Sequence, residues 1–219
     1  MEFWNRGAMP KMSTVIPNGI KNGAAHIEHV TPSKDDAALA SMRASYSGGR
    51  GNIFAGETYC QLFVDGTMWM SDTPDECRDH WEPVHRAKGE VLIAGLGLGM
   101  VALACALKPE VTRVTVIEIN ADVIGLVSRH LRATLKAAGQ DPDKLNVIEA
   151  DIYTWKLPKG QMYDCIWFDL WENICTDNLS EYGKLNRRFA RRTAGYRGAW
   201  VEEELKYQQR QEKRQDRYW

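Results

Sequence analysis

The stretch Val91-Leu92-Ile93-Ala94-Gly95-Leu96-Gly97-Leu98-Gly99-Met100 decides how the chain reads. Its first four residues are apolar without alternation, the mark of a strand buried on both faces. Three glycines at alternate positions follow, and then an apolar helix over 100–107, stopped near Pro109. Glycine permits a tight turn and lets backbone N–H groups approach a ligand, and a helix N-terminus favours an anionic group. A glycine turn that only packs helix onto sheet is the competing reading.

Working outward, the same rhythm repeats. A second strand is predicted over 114–118 and a helix over 121–138, with Val123, Leu126, Val127, Leu131 and Leu135 on one side and Gly139 beyond its end. A third strand is predicted over 146–149 and a fourth over 163–169. Alternating strands and helices predict an α/β fold: a Rossmann-like parallel sheet with helices on both faces. Upstream, strands over 59–64 and 67–70 flank Asp65-Gly66, a two-residue hairpin turn in which both positions tolerate positive φ. A helix follows, with Thr73 as N-cap, Pro74 at its first position and Glu76 completing T-x-x-E. Pro83 is expected to end or kink it.

The flanks are less regular. Residues 1–34 read as a flexible segment, because Pro10, Pro17, Asn18-Gly19, Asn22-Gly23 and Thr31-Pro32 punctuate them too often for a long element. A short helix is expected over 35–45, then a glycine-rich loop at 47–52. Beyond Asp169 only fifty residues remain. Residues 179–192 look helical, and 200–217 look like a charged helix. The only candidate for a further strand is 196–201, so the C-terminal strands of the sheet are expected to be truncated. The division that results is a flexible segment (1–34), a helix–hairpin–helix region (35–88), a Rossmann-like core (89–178) and a basic helical tail (179–219).

Composition bounds the rest. The chain has 219 residues, 44% hydrophobic and 26% charged, with a net charge of -1. This is a globular composition, not a disordered or collagen-like one. No apolar run approaches the roughly 18 residues of a membrane-spanning helix, and the N-terminus lacks the pattern of a secretory signal. From Lys184 onward eleven Lys/Arg face five Asp/Glu, a net of +6, so the preceding 183 residues carry -7. An acidic body argues against wholesale nucleic-acid coating; the tail alone could touch phosphate. Five cysteines without a C-x-x-C pair fit reduced thiols in a cytoplasm. No histidine has metal-ligand spacing with any cysteine, and no metal is expected.

Two acidic residues sharpen the glycine loop. Glu118 ends the second strand, 23 residues after Gly95, where a carboxylate can accept hydrogen bonds from both ribose hydroxyls. Asp151, after the third strand in Glu149-Ala150-Asp151-Ile152, can meet an adenine amino group, with Ile152 beside it; it could equally cap the next turn. A dinucleotide pattern fits less well, since G-x-G-x-x-G started at Gly95 meets Met100 where glycine belongs.

Gly95, Gly97 and Gly99 in G-x-G-x-G, with Glu118, Asp151 and Asp169, resemble the class I S-adenosylmethionine-dependent methyltransferases. Within that superfamily the resemblance is to the spermidine synthase group. Residues 62–76, LFVDGTMWMSDTPDE, look like that family's hairpin and acidic helix start. Residues 163–172, YDCIWFDLWE, resemble its Y-D-x-I-x-x-D-S-S-D strand. The likeness covers roughly 59–172. It implies cofactor contacts at Gly95, Gly97, Gly99, Glu118, Asp151, Ile152 and Asp169, with Asp169 and Glu172 as catalytic positions. The departures matter as much. Polyamine synthases carry G-G-G-D-G-G, whose Asp receives the free amino group of a decarboxylated substrate, and Leu98 stands there. Losing that carboxylate removes a repulsion against intact S-adenosylmethionine and a partner for an aminopropyl ammonium. Trp69 replaces the family's glutamine, and Glu172 replaces its second Asp.

These readings together imply an S-adenosylmethionine-dependent methyltransferase acting on a small acceptor. Asp169 would position the acceptor and Glu172 would serve as a base, unless Glu172 is a solvated loop acid. Trp171 and Trp155 either wall the pocket or simply pack, and Asp79 and His80 fall near the family's acceptor-binding pair. An aminopropyltransferase, a nicotinamide oxidoreductase and a catalytically inactive cofactor-binding or assembly protein remain as alternatives. A short sheet leaves an edge that a second copy could cover, which points to a homodimer.

Overall fold

The computed structural model describes residues 9–46, 51–171, 175, 177–200, 202, 206, 207 and 210. In chain order the elements are β1 (Lys21–Asn22), β2 (Ala25–Val30), α1 (Lys34–Tyr46), β3 (Tyr59–Val64), β4 (Thr67–Ser71), α2 (Pro74–Asp79) and α3 (Trp81–Arg86). They continue with β5 (Gly89–Ala94), α4 (Met100–Leu107), β6 (Val111–Glu118), α5 (Ala121–Ala137), β7 (Leu145–Glu149), β8 (Tyr163–Phe168), α6 (Asp177–Phe189) and β9 (Thr193–Ala199).

Two sheets result. The first runs β1-β2-β3-β4, antiparallel throughout. The second runs β7-β6-β5-β8-β9, parallel throughout. This is the expected Rossmann-like α/β fold, with the order reversing between β5 and β8. Strand side chains divide between two cores, as the lack of polar alternation required. Val91 and Ile93 face a core shared with α4, α5 and the N-terminal sheet, whereas Leu92 and Ala94 face Tyr182, Leu185 and Phe189 of α6.

α5 follows its sequence closely. Asn120 caps it by accepting from the Asp122 and Val123 N–H groups, and its five expected apolar residues are buried. Gly139 adopts φ 72° just past its end, and the Gln140 N–H returns to the Leu135 carbonyl, closing the helix as a left-handed cap does. The hairpin turn is also as read, with positive φ at Asp65 and Gly66.

Three expectations are corrected. Part of the segment 1–34 is structured: it carries β1 and β2, and Met12, Ile16, Ala25 and Ile27 are buried. The glycine and asparagine pairs that looked like loop punctuation are the turns of a meander. The fifth strand exists as β9, although Gly195 and Gly198 weaken its local propensity. Its neighbours require those glycines, since a Cβ on Gly195 would lie 2.3 Å from the Asp164 carbonyl oxygen. Finally, Thr73 makes no side-chain cap for α2, though Pro74 does sit in its first turn. The helix breaks at His80, three residues before Pro83, because a proline ring conflicts with the carbonyl four residues back, here Asp79.

The expected helix over 200–217 falls largely outside the described residues, as does Glu172. Among the described residues no helix is long and apolar enough to cross a membrane.

Candidate functional site

Parallel α/β sheets place ligands at the carboxyl ends of their strands, where the order reverses. A cavity of about 490 Å³ lies there, within the on-the-order-of 300–1,000 Å³ of small-molecule sites. Every strand of the parallel sheet delivers residues to it just past its end: Gly95 and Gly97 after β5, Glu118 and Ile119 at β6, Asp151 to Tyr153 after β7, Asp169 to Trp171 after β8, and Trp200 after β9. Trp69, Met70 and Glu76 close it from the hairpin side.

Gly95 has φ 97°, and a Cβ there would lie 1.9 Å from the Asp169 carbonyl oxygen. The position therefore requires glycine before any ligand arrives. Gly97 faces Met70 Sδ, which also lies 3.4 Å from the Leu98 backbone N. Gly99 is not brought to the cavity. It precedes α4 with φ 75° and packs against Leu131, so its role is helix–helix contact. Leu98 is wholly buried in the core and leaves the cavity without a carboxylate from this loop.

Glu118 is buried, with 7% exposure. One carboxylate oxygen accepts from the Leu96 N–H and the other from the Asn120 N–H, both at 2.8 Å. The carboxylate therefore ties the glycine loop to the start of α5. Each oxygen keeps a further lone pair for a hydroxyl donor. Asp151 lines the cavity, and its side chain accepts from the Tyr153 N–H at 2.8 Å, as the capping reading expects. Ile152 lines the cavity, and Ile119, two-thirds exposed, shares the lining. Together they offer apolar surface for a planar ring.

Asp169 is held by a group 89 residues away. Its Oδ2 lies 2.8 Å from His80 Nε2, and His80 Nδ1 lies 2.7 Å from the Glu76 carbonyl oxygen. A carbonyl only accepts, so Nδ1 carries a proton; with the Asp169 carboxylate on Nε2, the ring is an imidazolium. Burial opposes this charge, but Asp169 and then Glu76 outweigh it and raise the His80 pKa to about 9. Sequence position placed His80 near the site; nothing in the sequence paired it with Asp169. Trp171 lines the cavity, while Trp155 packs against the second core. Ile119, Tyr153 and Trp200 were not singled out as site residues by the sequence, and Glu76 was read there only as part of a helix start. The sequence offered 196–201 as its one further strand candidate; in the structure that strand ends at Ala199, and Trp200 beyond it lines the cavity.

Fold and site together define a Rossmann-like domain with a carboxylate-lined, aromatic-walled crevice at its topological switch point. Comparison with known proteins narrows this further. No family model matches the chain. It is 34% identical over 127 residues to polyamine aminopropyltransferase 1 of Streptomyces coelicolor, an alignment covering 55% of this chain and 23% of that protein. It is 31% identical over 115 residues to a polyamine aminopropyltransferase of Prochlorococcus marinus, covering 49% and 40%. The chain thus spans less than half the length of these relatives. Among solved structures, a protein assigned as an S-adenosylmethionine-dependent methyltransferase from Streptococcus mutans aligns at 17% identity, TM-score 0.47, over 65% of this chain and 38% of that one. The resemblance noted in the sequence to spermidine synthase-like proteins is thus matched by sequence similarity to polyamine aminopropyltransferases.

Proposed function

We propose that this protein binds S-adenosylmethionine in the crevice and transfers its methyl group to a small acceptor. The observation that carries the reading is Glu118, a buried carboxylate fixed by two backbone N–H groups and lining a cavity whose other walls are Gly95, Asp151, Ile152 and Asp169. The residues fit the group. Glu118 would take the ribose hydroxyls, Asp151 the adenine amino group, and Ile119 and Ile152 the ring faces. When bound, the cofactor supplies a sulfonium methyl that is already activated towards a nucleophile.

What the protein adds is alignment of the acceptor, which contributes most where the leaving group is good. Asp169, held by its bond to His80, orients the acceptor. A base, needed only for a protonated acceptor, is assigned to Glu172 from its place in the sequence. Aminopropyl transfer is the second reading, favoured by the two aminopropyltransferase relatives; Leu98 in the core counts against it.

Calorimetry with S-adenosylmethionine, its decarboxylated analogue, S-adenosylhomocysteine and NAD tests these readings. Intact S-adenosylmethionine should bind most tightly. Preference for the decarboxylated analogue would move the assignment to aminopropyl transfer. Product formation absent despite binding would leave a cofactor-binding protein, and no adenosyl binding would end the proposal. Glu118→Ala should abolish binding. It should also cost about 1–3 kcal/mol of stability, because two backbone N–H groups lose their acceptor.

A further inference from the structure

α6 sends two side chains from one face to the cavity walls. Glu181 and Arg188 are seven residues apart, two helical turns. Arg188 donates to the carbonyls of Ile152, Tyr153 and Trp155, the backbone that follows β7. Glu181 reaches further. Its Oε2 accepts from the Tyr153 hydroxyl at 3.2 Å and from the Trp171 indole N–H at 2.8 Å. Both aromatic residues line the cavity, one after β7 and the other after β8. β6 and β5 stand between those strands in the sheet, so no ladder hydrogen bond sets the spacing of the two loops. One carboxylate oxygen spans them. Burial and then the Glu181 charge push the Tyr153 phenol up to about 12, which keeps it a donor.

We propose that Glu181 is a positioning residue that clasps Tyr153 to Trp171, thereby fixing the two aromatic walls of the cavity and lengthening the residence of its ligand. The ligand half rests on the reading that the cavity takes an adenosyl group. A charged acceptor strengthens both bonds, while their position at the solvent-exposed rim weakens them.

The test uses the full chain with Glu181→Ala and Glu181→Gln, Arg188 left in place. Exchange of the Trp171 indole N–H, followed by NMR, should quicken in the alanine variant, and the Tyr153 phenol should titrate at lower pH. Glutamine, which keeps one acceptor oxygen, should fall between. Dissociation of S-adenosylhomocysteine, followed by stopped-flow fluorescence, should be about three- to tenfold faster in Glu181→Ala, the range of one modest hydrogen bond. The unfolding midpoint should stay near wild type. Unchanged indole exchange and phenol titration in a folded Glu181→Ala protein would overturn the clasp. Altered exchange with unaltered ligand dissociation would overturn the residence-time claim. If the wild-type protein binds no adenosyl ligand, that reading falls, and the NMR readouts alone decide whether the clasp exists.

Discussion

Both ring nitrogens of His80 face oxygen acceptors at a point with 1% exposure, and this sets the pH behaviour of the fold. An unfolded histidine titrates near 6.5 and the folded one at about 9. Below the lower value both states hold the proton and the pair's contribution is complete. Between the two values only the folded state holds it, so unfolding releases a proton and stability falls as pH rises. Urea midpoints should therefore decline from pH 6.5 to 9, by a loss on the order of 1–3 kcal/mol, and His80→Gln should flatten that decline. Glycine offers a second contrast. Gly95→Ala drives a Cβ into a backbone carbonyl at φ 97°, so it should destabilise by about 2 kcal/mol or more in chemical denaturation. Gly97→Ala meets only the flexible end of Met70 and should cost less. The sequence showed that these positions were glycine. It did not show that Gly95 answers to Asp169, and Gly99 to Leu131, because those contacts join segments far apart in the chain.

The elements show how local and distant signals divide. α5 was readable because its apolar stripe and the glycine beyond its end agree within one short segment. The break between α2 and α3 was readable only as a consequence of Pro83; its position at His80, with φ -97° and ψ 4°, follows from where the ring meets a carbonyl. That break matters to the site, since His80 is the residue bonded to Asp169. The end of α3 is held by a long-range cap that no local pattern announces. Lys108 has 8% exposure, and its Nζ donates to the carbonyls of Val84, His85 and Ala87 at 2.7, 3.2 and 2.7 Å. A cation satisfies the last carbonyls of a helix and complements its dipole. Lys108→Met should leave the His85 and Ala87 carbonyls without this donor and lower stability by about 2–3 kcal/mol, read from urea unfolding. β9 is the opposite case, a strand with weak propensity that exists because β8 offers it a parallel partner over Tyr163 to Phe168.

At the scale of the whole molecule, the N-terminal sheet and the parallel sheet share one core. Met12, Ile16, Ala25, Ile27 and Leu62 pack in the same cluster as Val91, Ile93 and α4. Within the N-terminal part, Asp72 ties the first segment to β3, accepting from the N–H groups of Met12 and Cys60 at 2.7 and 2.6 Å. Asp122 at the start of α5 holds the β1–β2 turn, accepting from Asn22 and Ala24 at 2.9 Å. A chain beginning at residue 31 should therefore lose cooperative unfolding and elute as aggregate in size-exclusion chromatography, because it would expose the apolar face of β3. The opposite result, a monomer with a sharp transition, would mean the first segment is dispensable, as its turn-rich sequence implied. By itself the sequence determined the parallel α/β architecture, the glycine turn, the strand-end carboxylates and α5, since each rests on periodicity or chemistry within a few residues. Only the tertiary structure decided that residues 21–30 join β3 and β4 in a sheet, that a fifth strand leads to Trp200 at the crevice, and that His80 is bonded to Asp169. Those outcomes depend on which surfaces meet, and burial against a distant partner outweighs the weak local preferences that the sequence displays.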